Sequence, residues 1–223
     1  MRDKRKGMKI VKLNKLQITS KTAHFGIPSG TDYRRTYFTP PPSTILGMLR
    51  VIYGEDIIKE NFSFGYDLEY ESKFIDVETI YKFNIKKQRK DKTDCCKKEY
   101  LFDCKLNIYH DINIDKFPIN MEYILCMGAS NNLARLHFPI NQIEIINKEG
   151  QGYNQFTPIR IGTGKIESAS VFTKYSKKFE SFDNQYMKLR QNKVFDYNKN
   201  YDPETNRNIY LYQFKEGRVI AND

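Results

Sequence analysis

Hydrophobic positions along the chain switch between a strand period and a helix period. In KIVKLNKLQI, residues 9–18, Val11 and Leu13 fall on one phase and Leu16 and Ile18 on the other. This pattern predicts a strand with a bulge at Asn14 and Lys15. Residues 19–42 lose the alternation and are rich in Gly, Pro, Ser and Thr, which predicts a long connection. A connection of that length inside a compact domain usually carries function. Ile45, Leu46, Leu49, Ile52 and Tyr53 then recur at helical spacing, so a helix is predicted over 44–53. Ser43 is its expected N-cap and Gly54 its stop, and its apolar face is expected to pack on a sheet.

Strict alternation returns in IDVETIYKFNI, residues 75–85, with Ile75, Val77, Thr79, Tyr81, Phe83 and Ile85 on one face. Phe102, Cys104, Leu106 and Ile108 repeat it. Between them lies KKQRKDKTDCCKKE, so the pattern reads as a long hairpin carrying a basic, mobile loop away from the body. MEYILCMG, residues 121–128, is a further short strand, and ASNNLARL after it reads as helix or loop. QIEII, KIESASVF and IYLYQF are strand-like, whereas residues 176–208 show no period that supports an assignment.

Composition narrows the class. The 223 residues are 39% hydrophobic and 29% charged, which fits a folded soluble chain. No apolar run approaches the roughly 18 residues of a spanning helix, and MRDKRKG leads into a strand pattern, so a cytoplasmic protein with no membrane partner is expected. Cys95, Cys96, Cys104 and Cys126 lack the spacing of a zinc site, so free thiols are expected. The net charge is +10, and residues 1–21 carry +7 and residues 82–98 +6. The rest of the chain is mildly acidic. Two basic stretches on such a body suit either a polyanion or a solvated surface.

Candidate chemistry is sparse. His24, His110 and His137 have no metal-ligand spacing, and no cofactor or metal is expected. RIGTGKIES resembles a phosphate loop only loosely, because Ile159 stands where its first glycine belongs and Ile166 follows the lysine. A metal-independent ribonuclease remains as an alternative, with Tyr37, Lys105, Tyr109 and His110 as acid, base and charge stabiliser around a 2′-hydroxyl. Better supported is binding. Lys21, His24, Phe25, Tyr33, Arg34, Arg35, Tyr37 and Phe38 interleave cations with rings, as phosphates and unstacked bases require. Pro40, Pro41 and Pro42 hold this segment against the helix start, and Gly47 is expected to let the helix lie close to a neighbour.

The order KLQI, AHFGIPSG, RRTYFTPPPSTILGMLRVIYG resembles the N-terminal signature of the fifth CRISPR-associated protein family (Cas-five) of the RAMP superfamily. YILCMGASNNLARL is similar to that family's later Leu-Gly-x-Ser motif, with Met127 in the leucine position. The resemblance implies an α+β fold: a ferredoxin-like, RRM-related RAMP domain with a long basic β-hairpin and a small β-rich C-terminal part. The boundaries it suggests are a basic tail at 1–8, the RAMP domain at 9–139 with the hairpin at 74–110, and the C-terminal part at 140–223. Only about a dozen residues separate the hairpin from MEYILCMG, so a second helix is expected to be short or missing.

By the same resemblance the chain is a non-catalytic subunit of a type I CRISPR surveillance (Cascade) complex, of subtype B. It would cap the 5′ handle of the guide crRNA and join the backbone (Cas-seven) and large subunits in antiviral defence. Contact with target DNA stays open. One subtype's members are processing ribonucleases, which is the alternative above. The implied RNA contacts are Lys21, His24, Phe25, Arg34, Arg35, Tyr37, and Ser43 and Thr44 at the helix start. Gly128, Ala129, Ser130 and Asn131 follow from the second motif, and Lys86, Lys87, Arg89, Lys90 and Lys92 from the hairpin tip.

Overall fold

The computed structural model describes residues 11–27, 33–86, 88–148, 151–152, 154–158, 165–175, 180–189, 195–196, 200–215 and 217–221. A nine-stranded sheet dominates it. Its axis is a 22-residue strand, β7 (Arg89–His110), flanked in chain order by β1 (Val11–Ala23), β2 (Phe25–Gly26), β3 (Tyr33–Arg34), β4 (Thr36–Tyr37), the helix α1 (Pro42–Tyr53), β5 (Phe62–Glu69) and β6 (Ser72–Asn84). The lower half of β7 runs antiparallel between β1 and β5. Its upper half pairs with β6, and β3 lies parallel to it at Tyr33↔Lys97. β5 and β6 keep one register along the same edge of β7, so the ribbon made by β6 and β7 grows directly out of the sheet.

β8 (Ala134–Leu136) and β9 (Asn141–Ile145) both pair with β1, on the edge away from β7. The later strands are β10 (Gln151–Gly152), β11 (Phe156–Thr157), β12 (Lys165–Tyr175), β13 (Glu180–Leu189), β14 (Phe195–Asp196), β15 (Tyr201–Asp202), β16 (Arg207–Asn208), β17 (Tyr212–Lys215) and β18 (Arg218–Ala221). β17 and β18 close the far edge beside β5, giving the order β18-β17-β5-β7-β1-β8. The 180–189 strand and the short pieces at 195–208 fall in the segment whose sequence supports no assignment. Among the described residues, a mostly antiparallel sheet with one α-helix makes an α+β architecture, the class expected.

The helix forms where the period predicts it, two residues longer at its start. Ile45, Leu46, Met48, Leu49, Ile52 and Tyr53 are buried against Leu16, Ile18, Phe64, Leu106 and Ile108 of the sheet. Gly54 ends it at φ +91°, where a side chain is strained, and its amide donates to Arg50 O at 2.8 Å. Ser43 is not the cap. Pro41 holds that position and Pro42 opens the helix, since a residue without an amide hydrogen loses nothing there. Gly47 does not mark a close approach either: a Cβ there would meet nothing within 4 Å.

The phase change in β1 is not a bulge. Its pairing with β7 runs unbroken from Asn14↔His110 through Lys15↔Tyr109 to Ala23↔Leu101. What changes is the face that is covered. Leu16 and Ile18 enter the core beneath α1, whereas Leu13 packs on the opposite face with Tyr109, Ile143, Ile145 and Ile209. β1 also reaches Ala23, so the predicted connection loses its first five residues to the strand.

Two more expectations change. MEYILCMG is not a strand and makes only isolated bridges, Cys126↔Leu133 and His24↔Gly128. The residues between β7 and β8 contain no helix; Ile112, Leu125 and Met127 cover the core there instead. The basic segment 89–98 is strand rather than loop, paired with β6 from Asn84↔Arg89 onward, and among the described residues only Ile85, Lys86 and Gln88 between them are turn. Among the described residues no helix is long and apolar enough to cross a membrane.

Candidate nucleic-acid interface

The two segments that carry the resemblance meet at the top of the sheet, through His24 and Gly128, 104 positions apart in the chain. His24 leaves β1 and pairs in parallel with Gly128. Its amide donates to Met127 O at 3.3 Å, and its carbonyl accepts from Ala129 N at 3.2 Å. Gly128 has φ +85°, and a Cβ on it would stand 2.0 Å from His24 O, so only glycine fits. Asn132 fastens the second segment: its amide donates to Ala129 O at 2.9 Å and it accepts Met127 N at 2.8 Å through its own carbonyl.

Glu99 fastens the first. It is 4% exposed, and its carboxylate accepts from Tyr33 Oη at 2.6 Å, Lys73 Nζ at 2.9 Å and Thr36 N at 3.0 Å. Its carbonyl accepts from His24 Nδ1 at 2.8 Å. One residue of β7 therefore pins His24, β3 and β4 to the ribbon base. Burial pushes the Glu99 carboxyl up, but Tyr33, Lys73 and the Thr36 amide outweigh it and hold the group below the ordinary carboxylate range.

Beside it, Glu78 accepts from Lys98 Nζ at 3.0 Å and from the Tyr100 hydroxyl, and Asn131 Nδ2 donates to that hydroxyl at 3.3 Å. Tyr100 stacks on Phe74 with centroids 5.5 Å apart and lies 5.8 Å from the His24 ring. Arg34, paired in β3 with Lys98, acts electrostatically on both His24 and Glu78. The result is a connected cluster in which His24, Arg34, Gly128 and Asn131, all expected site residues, come together. Tyr33, from the interleaved run of cations and rings, joins them, and Glu78, Lys98, Glu99 and Tyr100 do so unforeseen. Their only sequence signal was the alternation of 99–106 continuing back through the basic run.

Other expected residues stand elsewhere. Phe25 and Tyr37 are each 3% exposed in the core, Tyr37 edge-on to Phe156 at 5.5 Å, so neither ring is open to a base. Lys21 is exposed and paired with Asp103 at 2.8 Å, and Arg35 is exposed near Tyr33. Pro40, Pro41 and Pro42 are buried, and Ser43 and Thr44 half-buried. Thr44 N already donates to Pro41 O at 2.9 Å and Pro42 has no amide hydrogen, so the helix start offers an anion little beyond the Ser43 amide. Ser130 is exposed, and Ala129 half-buried.

The ribbon carries Lys86, Arg89 and Lys90, all exposed, with Lys90 Nζ 3.7 Å above the Tyr81 ring. Lys87 and the side chain of Lys92 lie outside the described residues. Ile75, Val77, Tyr81, Phe83 and Ile85 share one exposed face of it, from 54% to 83% open, so the alternation there marks no core.

The candidate ribonuclease residues are not gathered. Tyr109 is buried on the face away from α1, its hydroxyl lying 2.9 Å from Asp202 Oδ2 and 3.1 Å from Asp67 Oδ2 with one proton to share between them. His110 is buried on the other face, its Nε2 2.9 Å from the Tyr53 hydroxyl. Its Nδ1 accepts from Ile112 N at 3.2 Å, and burial lowers its pKa to about 3. Lys105 is half-buried and Tyr37 lies under the first loop. Among the described residues no group of three or more His, Cys, Asp or Glu side chains is arranged to hold a metal ion.

The fold has solved counterparts. One, titled a CRISPR RNA-guided surveillance complex, aligns over 87% of this chain and 95% of its own at 11% identity and a TM-score of 0.53. Two, titled the Type III-B Cmr-beta complex bound to cognate target RNA, one of them also with AMPPnP, align over 82% and 86% at 12% identity, with TM-scores of 0.56 and 0.54. At such identities they show a shared fold. No curated protein matches the chain. Residues 15–102, from β1 through the ribbon, match the family model described as CRISPR-associated protein (Cas_Cas5), so on that span the chain is similar to the CRISPR-associated Cas5 family.

Proposed function

We propose that the chain is a non-catalytic, RNA-holding subunit of a CRISPR effector complex, gripping the 5′ handle of the guide RNA at the junction between His24 and Gly128. The observation that carries this is the junction itself. Two remote segments are locked together by backbone contacts and Glu99, with exposed Arg34 ending the adjoining strand and exposed Arg35 just after it. Cations held on a rigid floor suit a phosphate backbone that must be bound in one register. The ribbon then guides the RNA that follows the handle, using Lys86, Arg89 and Lys90 beside Tyr81 and Phe83.

We read the strand order β5-β7-β1-β8 as that of a ferredoxin-like unit with an extended connection in place of its second helix, an order that supports the reading without a helix between β7 and β8. The family match and the titles of the structural neighbours support a place in a multi-subunit CRISPR complex. We assign it to a type I (Cascade) assembly of subtype B, joining a backbone subunit and a large subunit. Binding of handle RNA should weaken with salt at a log–log slope of about −0.7 per phosphate contacted. A slope near zero removes this reading. The scattered placement of Tyr37, Tyr109 and His110 favours a holding over a cutting role. Incubation with repeat RNA in EDTA separates the two: cleavage that His110→Ala abolishes would establish the ribonuclease.

A further inference from the structure

His24 has two ring edges with different surroundings. Nδ1 lies 2.8 Å from the Glu99 carbonyl oxygen, which can only accept, so Nδ1 carries the proton. Burial, with Lys98 and Arg34 adding to it, lowers the imidazole pKa below its ordinary value, so the ring is neutral at pH 7. Nε2 is then a bare acceptor. Among the described residues it has no hydrogen-bond partner, and it is not one of the sealed polar atoms. The ring is only 8% exposed, and Nε2 lies against exposed Gly26, where a Cβ would stand 3.4 Å away.

An acceptor held in this way cannot bind a phosphate oxygen, which is itself an acceptor at neutral pH. It selects an O–H or N–H group, and it penalises a ligand lacking one, because the lone pair is then left dry. Arg34 provides the cation whose field reaches the ring, and Gly26, exposed and without a side chain, is the residue that borders Nε2.

We propose that His24 Nε2 is a specificity-determining acceptor that takes a hydrogen bond from one nucleotide of the bound RNA while Arg34 takes that nucleotide's phosphate. This rests on the RNA-holding reading above. The donor is a ribose 2′-hydroxyl or the amino group of a base, and the two sources are separable.

The test uses the full chain and the handle RNA, scanned one position at a time with 2′-deoxy sugars and, in a second series, with bases lacking the exocyclic amine. In the wild type one substitution should weaken binding by about fivefold, the worth of one hydrogen bond. The series in which it appears names the donor. His24→Asn keeps a donor near Glu99 O and removes the distal acceptor, so it should bind both RNAs equally. Gly26→Ala crowds Nε2 without touching the Nδ1 bond and should erase the same discrimination even where His24→Asn fails to fold. If every position costs the same in the wild type and in Gly26→Ala, the inference is overturned while RNA binding stands. If the wild type binds no handle RNA, the RNA-holding reading itself falls, and this inference with it.

Discussion

Gly128 lies with its α-carbon against the backbone of His24, so close that a methyl group would sit 2.0 Å from the His24 carbonyl oxygen and 2.8 Å from its carbon. Both atoms are main chain, and neither can rotate away. Gly128→Ala should therefore destabilise the fold by about 2–4 kcal/mol, combining the left-handed backbone penalty with the clash. Urea unfolding measures the loss, and RNA affinity should fall with it. A variant as stable as the wild type would mean that the two segments are not locked.

Gly47→Ala should behave oppositely. Nothing lies within 4 Å of its Cβ, and the residue sits mid-helix. The gain expected from propensity alone is about 0.5–1 kcal/mol, read as a higher urea midpoint with unchanged RNA binding.

Glu99 gives a pH signature. Its folded carboxyl titrates below its unfolded value of about 4.3. The unfolded state thus binds the proton first, so the stabilisation is present above pH 4.3 and is lost as pH falls through the folded pKa. Glu99→Ala should cost about 3 kcal/mol near pH 7, because three donors lose a buried anion. Glu99→Gln should cost less, and both should flatten the acid limb of a stability–pH curve below pH 4.3.

Much of the scaffold was legible because its signals are local. The period of α1, the stop at Gly54 and the alternation of 75–85 each need only neighbouring residues. The misread parts depend on remote partners. Leu13 changes phase because Ile143, Ile145 and Ile209 cover the other face of β1. Lys98 and Glu99 read as a solvated run, yet they are buried because Glu78, Tyr33, Lys73 and Thr36 supply their counter-charges and donors. Tyr37 and Phe25 looked like stacking platforms until Phe156 and Gly128 closed over them. The two segments that meet at His24 and Gly128 were legible, but their junction was not, since it consists of backbone contacts that leave no side-chain pattern.

His110 predicts a second acid effect in a different window. Its folded pKa of about 3 lies below an unfolded value of about 6.5, and Nδ1 is already occupied by the Ile112 amide. Between those values the unfolded chain holds a proton that the folded chain refuses. Stability therefore rises with pH across pH 3–6.5, by up to about 1.4 kcal/mol per pH unit from this group. His110→Gln should reduce the slope between pH 4 and 6 by about one proton. An unchanged slope would show that the ring charges within the fold.

Tyr81 and Lys90 test the ribbon. Tyr81 is 65% exposed with Lys90 Nζ 3.7 Å above its ring, a pairing that a base can displace by stacking while the ammonium moves to the phosphate. Tyr81→Ala removes the platform and Lys90→Ala only the charge. On RNA that extends past the handle, Tyr81→Ala should weaken binding by about 1–3 kcal/mol. Lys90→Ala should lower the salt slope by about 0.7 with a smaller loss. On the handle alone both should bind as the wild type does, because the ribbon tip lies beyond the His24–Gly128 junction. Equal losses on the short and the extended RNA would instead place the ribbon within the handle site, and no loss on either would leave its exposed apolar face to a protein partner.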